Sequence, residues 1–167
     1  MPTDPRLLPF LPAARASHAK FYPRGPFISI ILGQLALESA YGTRTAGRNN
    51  FFGVKATHTE IALGCATLVT TREFAYGRYM TEDLYFADYP TPEACFDAHG
   101  ALLCTPHYQP CMDAGTPAAY ARALQACGYA TAPTYARVLM DVITSNGLTQ
   151  FDEVPNLTSA PAPTPLA

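Results

Sequence analysis

The sequence predicts an α+β domain that is mainly helical, and three observations support this fold class. An uncharged apolar run extends from Phe27 to Leu37, two β-branched segments flank a glycine turn, and three later segments carry helix start and stop signals. The chain has 167 residues, an ordinary size for one domain with a substantial core. We therefore expect helices packed around a small antiparallel hairpin.

Two helices are predicted in the first part of the chain. Residues 5–20 place Leu7, Leu11 and Ala14 at roughly helical spacing, and residues 21–26 interrupt the pattern with two prolines and a glycine. Residues 27–40 are apolar on nearly every face, which is typical of a helix at the centre of a core. Gly42 is the expected stop signal of this second helix.

A loop and a hairpin are predicted next. Residues 42–50 are polar and contain glycine, and the sequence FFGVKAT that follows favours a short extended segment. The β-branched, alternating residues 66–74 and the segment 79–89 predict two strands joined by a turn at 75–78.

Three more helices are predicted after the hairpin. Residues 91–104 and 116–128 both begin with Thr-Pro, the preferred order for the N-cap and the first helical position. The third, over 132–147, has Pro133 near its start and Gly147 near its end. We expect residues 1–150 to form the domain and residues 151–167 to form a disordered Pro/Ala-rich tail.

Composition excludes several classes of function. Only 14% of the residues are charged and the net charge is −2, which gives no electrostatic basis for binding nucleic acid or an anionic membrane. The Phe27–Leu37 run is too short to cross a bilayer, and the proline-interrupted start is not a secretory signal. We therefore expect synthesis in the cytoplasm without a signal peptide, and no stable membrane insertion.

The five cysteines form no C-x-x-C pair, so we expect reduced thiols, with a Cys95–Cys127 bridge as the alternative in an oxidising space. Zinc-protease and phosphate-loop motifs are absent, so we expect neither a metal nor a cofactor.

Glu38 is the first candidate catalytic residue, because it follows the apolar run directly. In a helix it lies beside Ile31, Gln34 and Leu35, two apolar residues and one hydrogen-bonding residue. A carboxyl group in apolar surroundings keeps its proton near neutral pH and can donate it to a glycosidic oxygen. The alternative is an ordinary glutamate at a helix end that faces water.

Glycoside cleavage usually needs a second carboxyl group. The candidates between the second helix and the end of the hairpin are Glu60, Glu73, Glu82 and Asp83. Glu73 interrupts an apolar, threonine-rich strand, although a solvent-facing strand position explains it equally well. Tyrosines near helix ends supply the flat surfaces with a polar edge that sugar sites need; they are Tyr41, Tyr129 and Tyr135.

Four segments occur in an order that resembles a known family: ALESAYG, NNFFGVKA, VTTREF and GYATAPTYA. This order is similar to that of the glucosaminidases of glycoside hydrolase family 73, which include autolysins, phage endolysins and the hydrolase half of the flagellar rod-cap protein. The resemblance covers residues 28–146. It implies a lysozyme-like fold with a β-hairpin lobe beside the cleft, and hydrolysis of the β-1,4 bond between N-acetylglucosamine and N-acetylmuramic acid in peptidoglycan.

The resemblance also implies roles for individual residues. Glu38 corresponds to the general acid, Glu73 to the acid on the hairpin, and Tyr129 to a tyrosine that lines the site. The other implied substrate-binding positions are Tyr41, Asn50, Phe52, Gly53 and Tyr135. The chain departs from the family where Ala40 and Tyr41 replace a common Gly-Trp, where Ala132 replaces an aspartate, and where Arg72 changes the spacing before Glu73 by one residue.

The implied mechanism leaves two routes open after Glu38 protonates the leaving oxygen. Glu73 activates a water molecule, or the 2-acetamido group of the substrate attacks and Tyr129 steadies it. The expected setting is a monomer that acts on glycan strands of the cell wall after release or injection, as a phage endolysin or an antibacterial effector; an effector would have an immunity protein as its partner. The alternatives are a lytic transglycosylase or muramidase on the same fold, and a non-catalytic wall-binding module.

Overall fold

A computed structural model describes residues 2–75 and 78–152, with backbone alone for the hairpin residues 72–75, 78 and 79. The centre of the predicted turn and the tail beyond residue 152 lie outside the described residues. In chain order the elements are α1 (Leu11–Phe21), α2 (Ile28–Glu38), α3 (His58–Ala62), β1 (Ala66–Ala75), β2 (Arg78–Ala87), α4 (Pro92–Leu103), α5 (Gln109–Met112), α6 (Pro117–Ala126) and α7 (Tyr135–Ser145). Short 3-10 turns form at Leu8–Phe10, Pro106–Tyr108 and Leu148–Phe151.

Helix α2 lies at the centre of the core, as its uniformly apolar sequence predicts. Every residue from Ile28 to Ala36 is buried, and α1, α6, α7 and the last 3-10 turn pack around the helix. At Gly33 an added Cβ would lie 2.8 Å from Ile143 Cγ1 and 2.9 Å from Leu139 Cδ1. The missing side chain thus lets α7 pack closely against α2.

The first two helices are shorter than predicted, for local reasons. Helix α1 begins at Leu11, because Pro12 fits only the first turn of a helix and the preceding residues form a 3-10 turn. Helix α2 ends at Glu38 rather than at residue 40. Ala40 and Tyr41 already have left-handed φ angles of 48° and 62°, so the chain leaves the helix before Gly42.

The hairpin confirms the two predicted strands. Strands β1 and β2 pair antiparallel from Ala66 opposite Ala87 to Ala75 opposite Arg78. The extended segment before them also forms, because Ala87 N donates to Val54 O and Ala56 N donates to Tyr85 O. This segment joins the hairpin to the helical core.

Helix α3 was not predicted, although its local signal is present. Thr57 Oγ1 accepts from Glu60 N, and Glu60 Oε2 accepts from Thr57 N at 2.7 Å, which is a capping box. The carboxylate of Glu60 therefore caps its own helix.

The later helices begin where their Thr-Pro signals predict. Thr91 and Thr116 accept hydrogen bonds from Ala94 N and Ala119 N, both at 3.2 Å. The predicted end of the domain at residue 150 stays a prediction, and the described chain continues past it to Asp152. Asp152 Oδ1 accepts from Ser29 N at 2.7 Å and so caps α2, a helix with no side-chain cap of its own at Phe27.

All five cysteines are free thiols, so the structure contains no Cys95–Cys127 bridge. Burial raises the pKa of the Cys95 thiol to about 11 and is the main cause that raises that of Cys111 to about 12. Both therefore stay protonated and unreactive at neutral pH. In the described part of the chain, no helix combines the length and apolar content that a bilayer span needs.

Candidate active site

Glu38 is the last residue of α2 and lies where this buried helix reaches the surface. Its side chain is exposed, whereas Leu35 and Ile31 beneath it are fully buried. The expected apolar flank thus lies below the carboxylate rather than around it. Ser39 fixes the helix end, since its hydroxyl donates to Leu35 O at 2.6 Å and accepts from Gly42 N at 3.0 Å.

The side chain of Glu38 is hydrogen-bonded to Tyr135, the first residue of α7. The buried Tyr135 hydroxyl donates to Glu38 Oε1 at 3.4 Å, a long bond, and accepts from Gln34 Nε2 at 3.0 Å. Gln34, which the sequence analysis placed beside Glu38, therefore acts through a tyrosine 101 residues away. The three side chains form a hydrogen-bonded chain from the core to the exposed acid.

Tyr135 remains a hydrogen-bond donor over the working pH range of most proteins. Burial, followed by the nearby charge of Glu38, raises the pKa of its hydroxyl well above the usual value. From the sequence, Tyr135 is predicted to be a substrate-binding residue. That role stays a prediction, and its exposed fraction of 7% and its two hydrogen bonds also place it to orient the acid.

Tyr129 lies beside Tyr135, with ring centroids 5.7 Å apart. Its side chain is partly buried, and its hydroxyl is within 3.5 Å of Phe52 O, to which it donates. Burial raises the pKa of this hydroxyl well above its usual value, and the nearby Tyr135 and Glu38 add to the effect. The structure thus brings Glu38, from the segment ALESAYG, together with Tyr129 and Tyr135, from the distant segment GYATAPTYA.

The segment from Asn50 to Gly53 contacts the candidate site through Phe52, whose carbonyl oxygen accepts from the Tyr129 hydroxyl. The amide of Asn50 donates to Val54 O at 2.9 Å and to Ala87 O at 2.8 Å, and its Oδ1 accepts from Val54 N. Asn50 and Phe52 are 1% and 3% exposed, and Gly53 adopts a left-handed φ of 62°. Their burial favours a supporting role; direct contact with substrate remains a prediction.

His99 is a part of this site that the sequence analysis missed. It lies in α4, is fully buried, and stacks on Phe52 with ring centroids 3.9 Å apart. The ring centroids of His99 and Tyr129 lie 6.3 Å apart in an edge-to-face arrangement. A single histidine in a helix gives no sequence pattern that separates a support for the site from an ordinary core residue.

Tyr41 lies near the opposite end of α7 from Tyr135. The guanidinium of Arg6 lies 4.2 Å from the centroid of its ring, and Asn146 Nδ2 donates to its hydroxyl at 3.5 Å. These contacts hold Tyr41 against the N-terminal segment, and a contact with substrate stays a prediction.

The second carboxyl group remains a prediction as well. The backbone of Glu73 pairs with Met80, but its side chain lies outside the described part of the structure. Of the other candidates, Glu60 caps α3 and Asp83 accepts from Thr70 Oγ1 at 2.6 Å across the hairpin. Glu82 is an exposed residue opposite Thr71.

Known proteins are similar to this chain in both sequence and fold. The peptidoglycan hydrolase FlgJ of Escherichia coli K12 is 37% identical over 140 residues, which cover 80% of this chain and 43% of the relative. The exo-glucosaminidase LytG of Bacillus subtilis is 34% identical and matches 78% of this chain and 48% of its own length. The chain thus spans less than half the length of these relatives.

Solved structures of other proteins are also similar to this chain in fold. A mutant peptidoglycan hydrolase from Sphingomonas sp. A1 is 27% identical, with a TM-score of 0.76 over 87% of this chain and 96% of that one. A type VI secretion effector–immunity complex from Pseudomonas protegens shares the fold at 20% identity, with a TM-score of 0.55 over 85% and 89% of the two chains.

These neighbours confirm the lysozyme-like fold that the resemblance implied. The family model described as glucosaminidase, mannosyl-glycoprotein endo-beta-N-acetylglucosaminidase, matches residues 22–148. This match spans most of the chain, and the chain therefore belongs to the glucosaminidase family of glycoside hydrolases.

Proposed function

We propose that this chain hydrolyses the β-1,4 bond between N-acetylglucosamine and N-acetylmuramic acid in peptidoglycan, with Glu38 as the general acid. The observation that carries the proposal is the position of Glu38. Its carboxyl group lies at the exposed end of a buried helix, hydrogen-bonded to Tyr135 and close to Tyr129, and it acts as the acid in its protonated form. The names of FlgJ and LytG support a substrate in the cell wall.

In the proposed reaction Glu38 protonates the leaving glycosidic oxygen as positive charge develops at the anomeric carbon. The hydrogen bond from Tyr135 fixes the position of the carboxyl group, because Tyr135 is itself held by Gln34. Either water activated by Glu73 attacks the anomeric carbon directly, or the 2-acetamido oxygen of the substrate attacks first and water then opens the cyclic intermediate. In the second route the Tyr129 hydroxyl, whose pKa is raised in part by the nearby Glu38, steadies the 2-acetamido group.

The first experiment replaces the acid. Glu38→Gln keeps the shape of the side chain but removes its proton-donating capacity, so we expect a loss of about 100-fold or more in lysis of purified cell walls. The melting temperature should stay close to that of the wild type, since the side chain is exposed. Glu93→Gln, an exposed glutamate at the start of α4, is the matched control. Wild-type lysis by Glu38→Gln would remove the acid from the mechanism.

Mass analysis of the released fragments separates the alternatives. Reducing N-acetylglucosamine ends identify a glucosaminidase, and reducing N-acetylmuramic acid ends identify a muramidase. Anhydro-muramic ends identify a lytic transglycosylase. A chain that binds walls without releasing fragments is a non-catalytic module.

We further propose that the protein acts outside the cytoplasm, as a phage endolysin or an injected antibacterial effector. The location of peptidoglycan supports this, and the Pseudomonas protegens neighbour is by its title an effector held by an immunity protein. An effector of this type would require such a partner in the producing cell. We expect expression directed to the periplasm to lyse the host and cytoplasmic expression to be tolerated; equal growth in both cases would contradict the proposal.

A further inference from the structure

A cavity of about 430 Å³ lies between α6 and α7. Helix α6 contributes Arg122 and Gln125 to its wall, and α7 contributes Ala136, Arg137 and Met140. Gln125 Oε1 accepts from Ala136 N at 2.8 Å, so the amide side chain ties the two helices together at the cavity. The cavity is thus a built part of the α6–α7 interface.

Arginine supplies all the charge on the lining of this cavity. Arg122 is exposed and forms no salt bridge or hydrogen bond with the residues that the structure describes. Arg137 pairs with Asp141 at 3.3 Å, but both side chains are about two-thirds exposed, and such a pair one helical turn apart is weak. Two guanidinium groups are therefore accessible for carboxylates, which they bind in a bidentate geometry.

The remaining lining is apolar and uncharged. Ala118, Ala136 and Met140 provide hydrocarbon surface between the arginines. A site with an apolar floor and two cationic groups fits a ligand that combines alkyl groups with carboxylates, such as a short acidic peptide.

The cavity and the candidate active site share the start of α7. Tyr135 donates its hydroxyl to Glu38, and the next two residues, Ala136 and Arg137, line the cavity. Pro133 and Thr134, in the segment between Tyr129 and Tyr135, line the cavity as well. Because this segment connects the two tyrosines of the candidate site, we expect a branch on a sugar bound at Glu38 to be the part of the substrate that reaches the cavity.

We propose that this cavity binds the acidic peptide stems that branch from the N-acetylmuramic acid units of peptidoglycan. This inference rests on the proposed function, because it assigns a second contact to the same substrate. Arg122 and Arg137 bind the carboxylates of the stem, and Met140 and Ala136 contact its alkyl groups. The protein then selects glycan strands that carry stems over strands that have lost them.

The experiment compares two forms of one substrate. Arg122→Gln is assayed on intact peptidoglycan and on the same material stripped of its stems by an N-acetylmuramoyl-L-alanine amidase. We expect about a tenfold lower rate on intact peptidoglycan, mainly through a higher KM, since one charge-assisted contact is lost. On stripped strands the rate should stay within about twofold of the wild type. Arg15→Gln, an exposed arginine on α1, controls for the change in net charge.

Two results overturn the inference: an equal loss on both substrates, or no loss on either. If the wild type cleaves neither substrate, the proposed function fails and a second measurement decides the inference alone. In an NMR titration with a soluble stem tetrapeptide, shifts at residues 118–140 in the wild type and their loss in Arg122→Gln support the cavity as the site. No shifts in the wild type overturn it, and binding that Arg122→Gln leaves unchanged does so too.

Discussion

At the scale of single residues, Tyr135 is the side chain that connects the core to the chemistry. Its hydroxyl accepts from the buried Gln34 and donates to the exposed Glu38. An exposed glutamate at a helix end normally samples several rotamers, and fixing it costs side-chain entropy. The tyrosine reduces this cost because its own position is already set by packing.

Removing this hydroxyl tests the positioning role. Tyr135→Phe keeps the ring but deletes the bond to the carboxylate, and a hydrogen bond to a charged group contributes about 1.5–3 kcal/mol. We expect kcat to fall about tenfold or more with little change in KM, because the substrate does not need this hydroxyl to bind. Steady-state kinetics on solubilised peptidoglycan measure both constants.

Tyr120→Phe is the matched control for this substitution. Tyr120 is 1% exposed, and its hydroxyl has no hydrogen-bond partner in the described part of the structure. Its removal should leave kcat unchanged. Equal kinetic effects of the two substitutions would show that Tyr135 contributes only to packing.

The sequence identified some members of this site but not the contacts between them. Glu38 was predicted because a charge follows an uncharged run, which is a local signal. The bond between Gln34 and Tyr135 was not predictable in this way, since it joins residues 101 positions apart. His99 was missed because its role depends on Phe52 and Tyr129, which come to it only in the folded chain.

At the scale of elements, signals within one turn predicted the helices best. Thr91 and Thr116 cap α4 and α6 as expected. In each case the threonine, the proline and the amide that donates to the threonine lie within four residues. The end of α2 was predicted less well, since the non-glycine residues Ala40 and Tyr41 adopt left-handed φ angles. Propensity alone does not anticipate this conformation.

The contact between α2 and α7 positions the site, because α2 carries Glu38 and α7 carries Tyr135. Gly33→Ala would place a Cβ within 3 Å of Ile143 and Leu139 and force the helices apart. We expect a loss of about 1–3 kcal/mol in the free energy of unfolding, measured by urea denaturation. Activity at a temperature where the variant is folded should also fall, because the bond from Tyr135 to Glu38 lengthens.

Gly115→Ala is the control for this prediction, since an added Cβ there meets no atom within 4 Å. Its stability should change by no more than about 0.5 kcal/mol. Full stability of Gly33→Ala would mean that the two helices do not pack as closely as the structure indicates.

At the scale of the whole molecule, the two ends of the described chain close the fold around α2. Asp152 caps α2 across 123 residues, and Asn146 Oδ1 accepts from Asp4 N at 3.2 Å. The sequence placed the end of the domain at residue 150 because the composition changes there. Composition does not reveal that an aspartate just past this point accepts from Ser29 N, an amide in the first turn of a distant helix.

The stability of the whole molecule should depend on pH through His99. Burial lowers the pKa of His99 to about 3, whereas an unfolded histidine titrates near 6.5. Between these values the unfolded chain binds a proton that the folded chain does not, so the stability falls as the pH drops below about 6.5 and the loss levels off near pH 3. Through His99 alone, the free energy of unfolding changes by up to about 1.4 kcal/mol per pH unit.

Chemical denaturation at pH 7.0 and pH 5.0 measures this effect where most carboxylates stay ionised. We expect the wild type to lose about 2 kcal/mol between the two values through His99. His99→Phe retains a ring to stack on Phe52 and should lose much less, whereas the exposed His58→Phe should keep the wild-type difference. A pH dependence in His99→Phe equal to that of the wild type would mean that the buried ring does not titrate as its surroundings dictate.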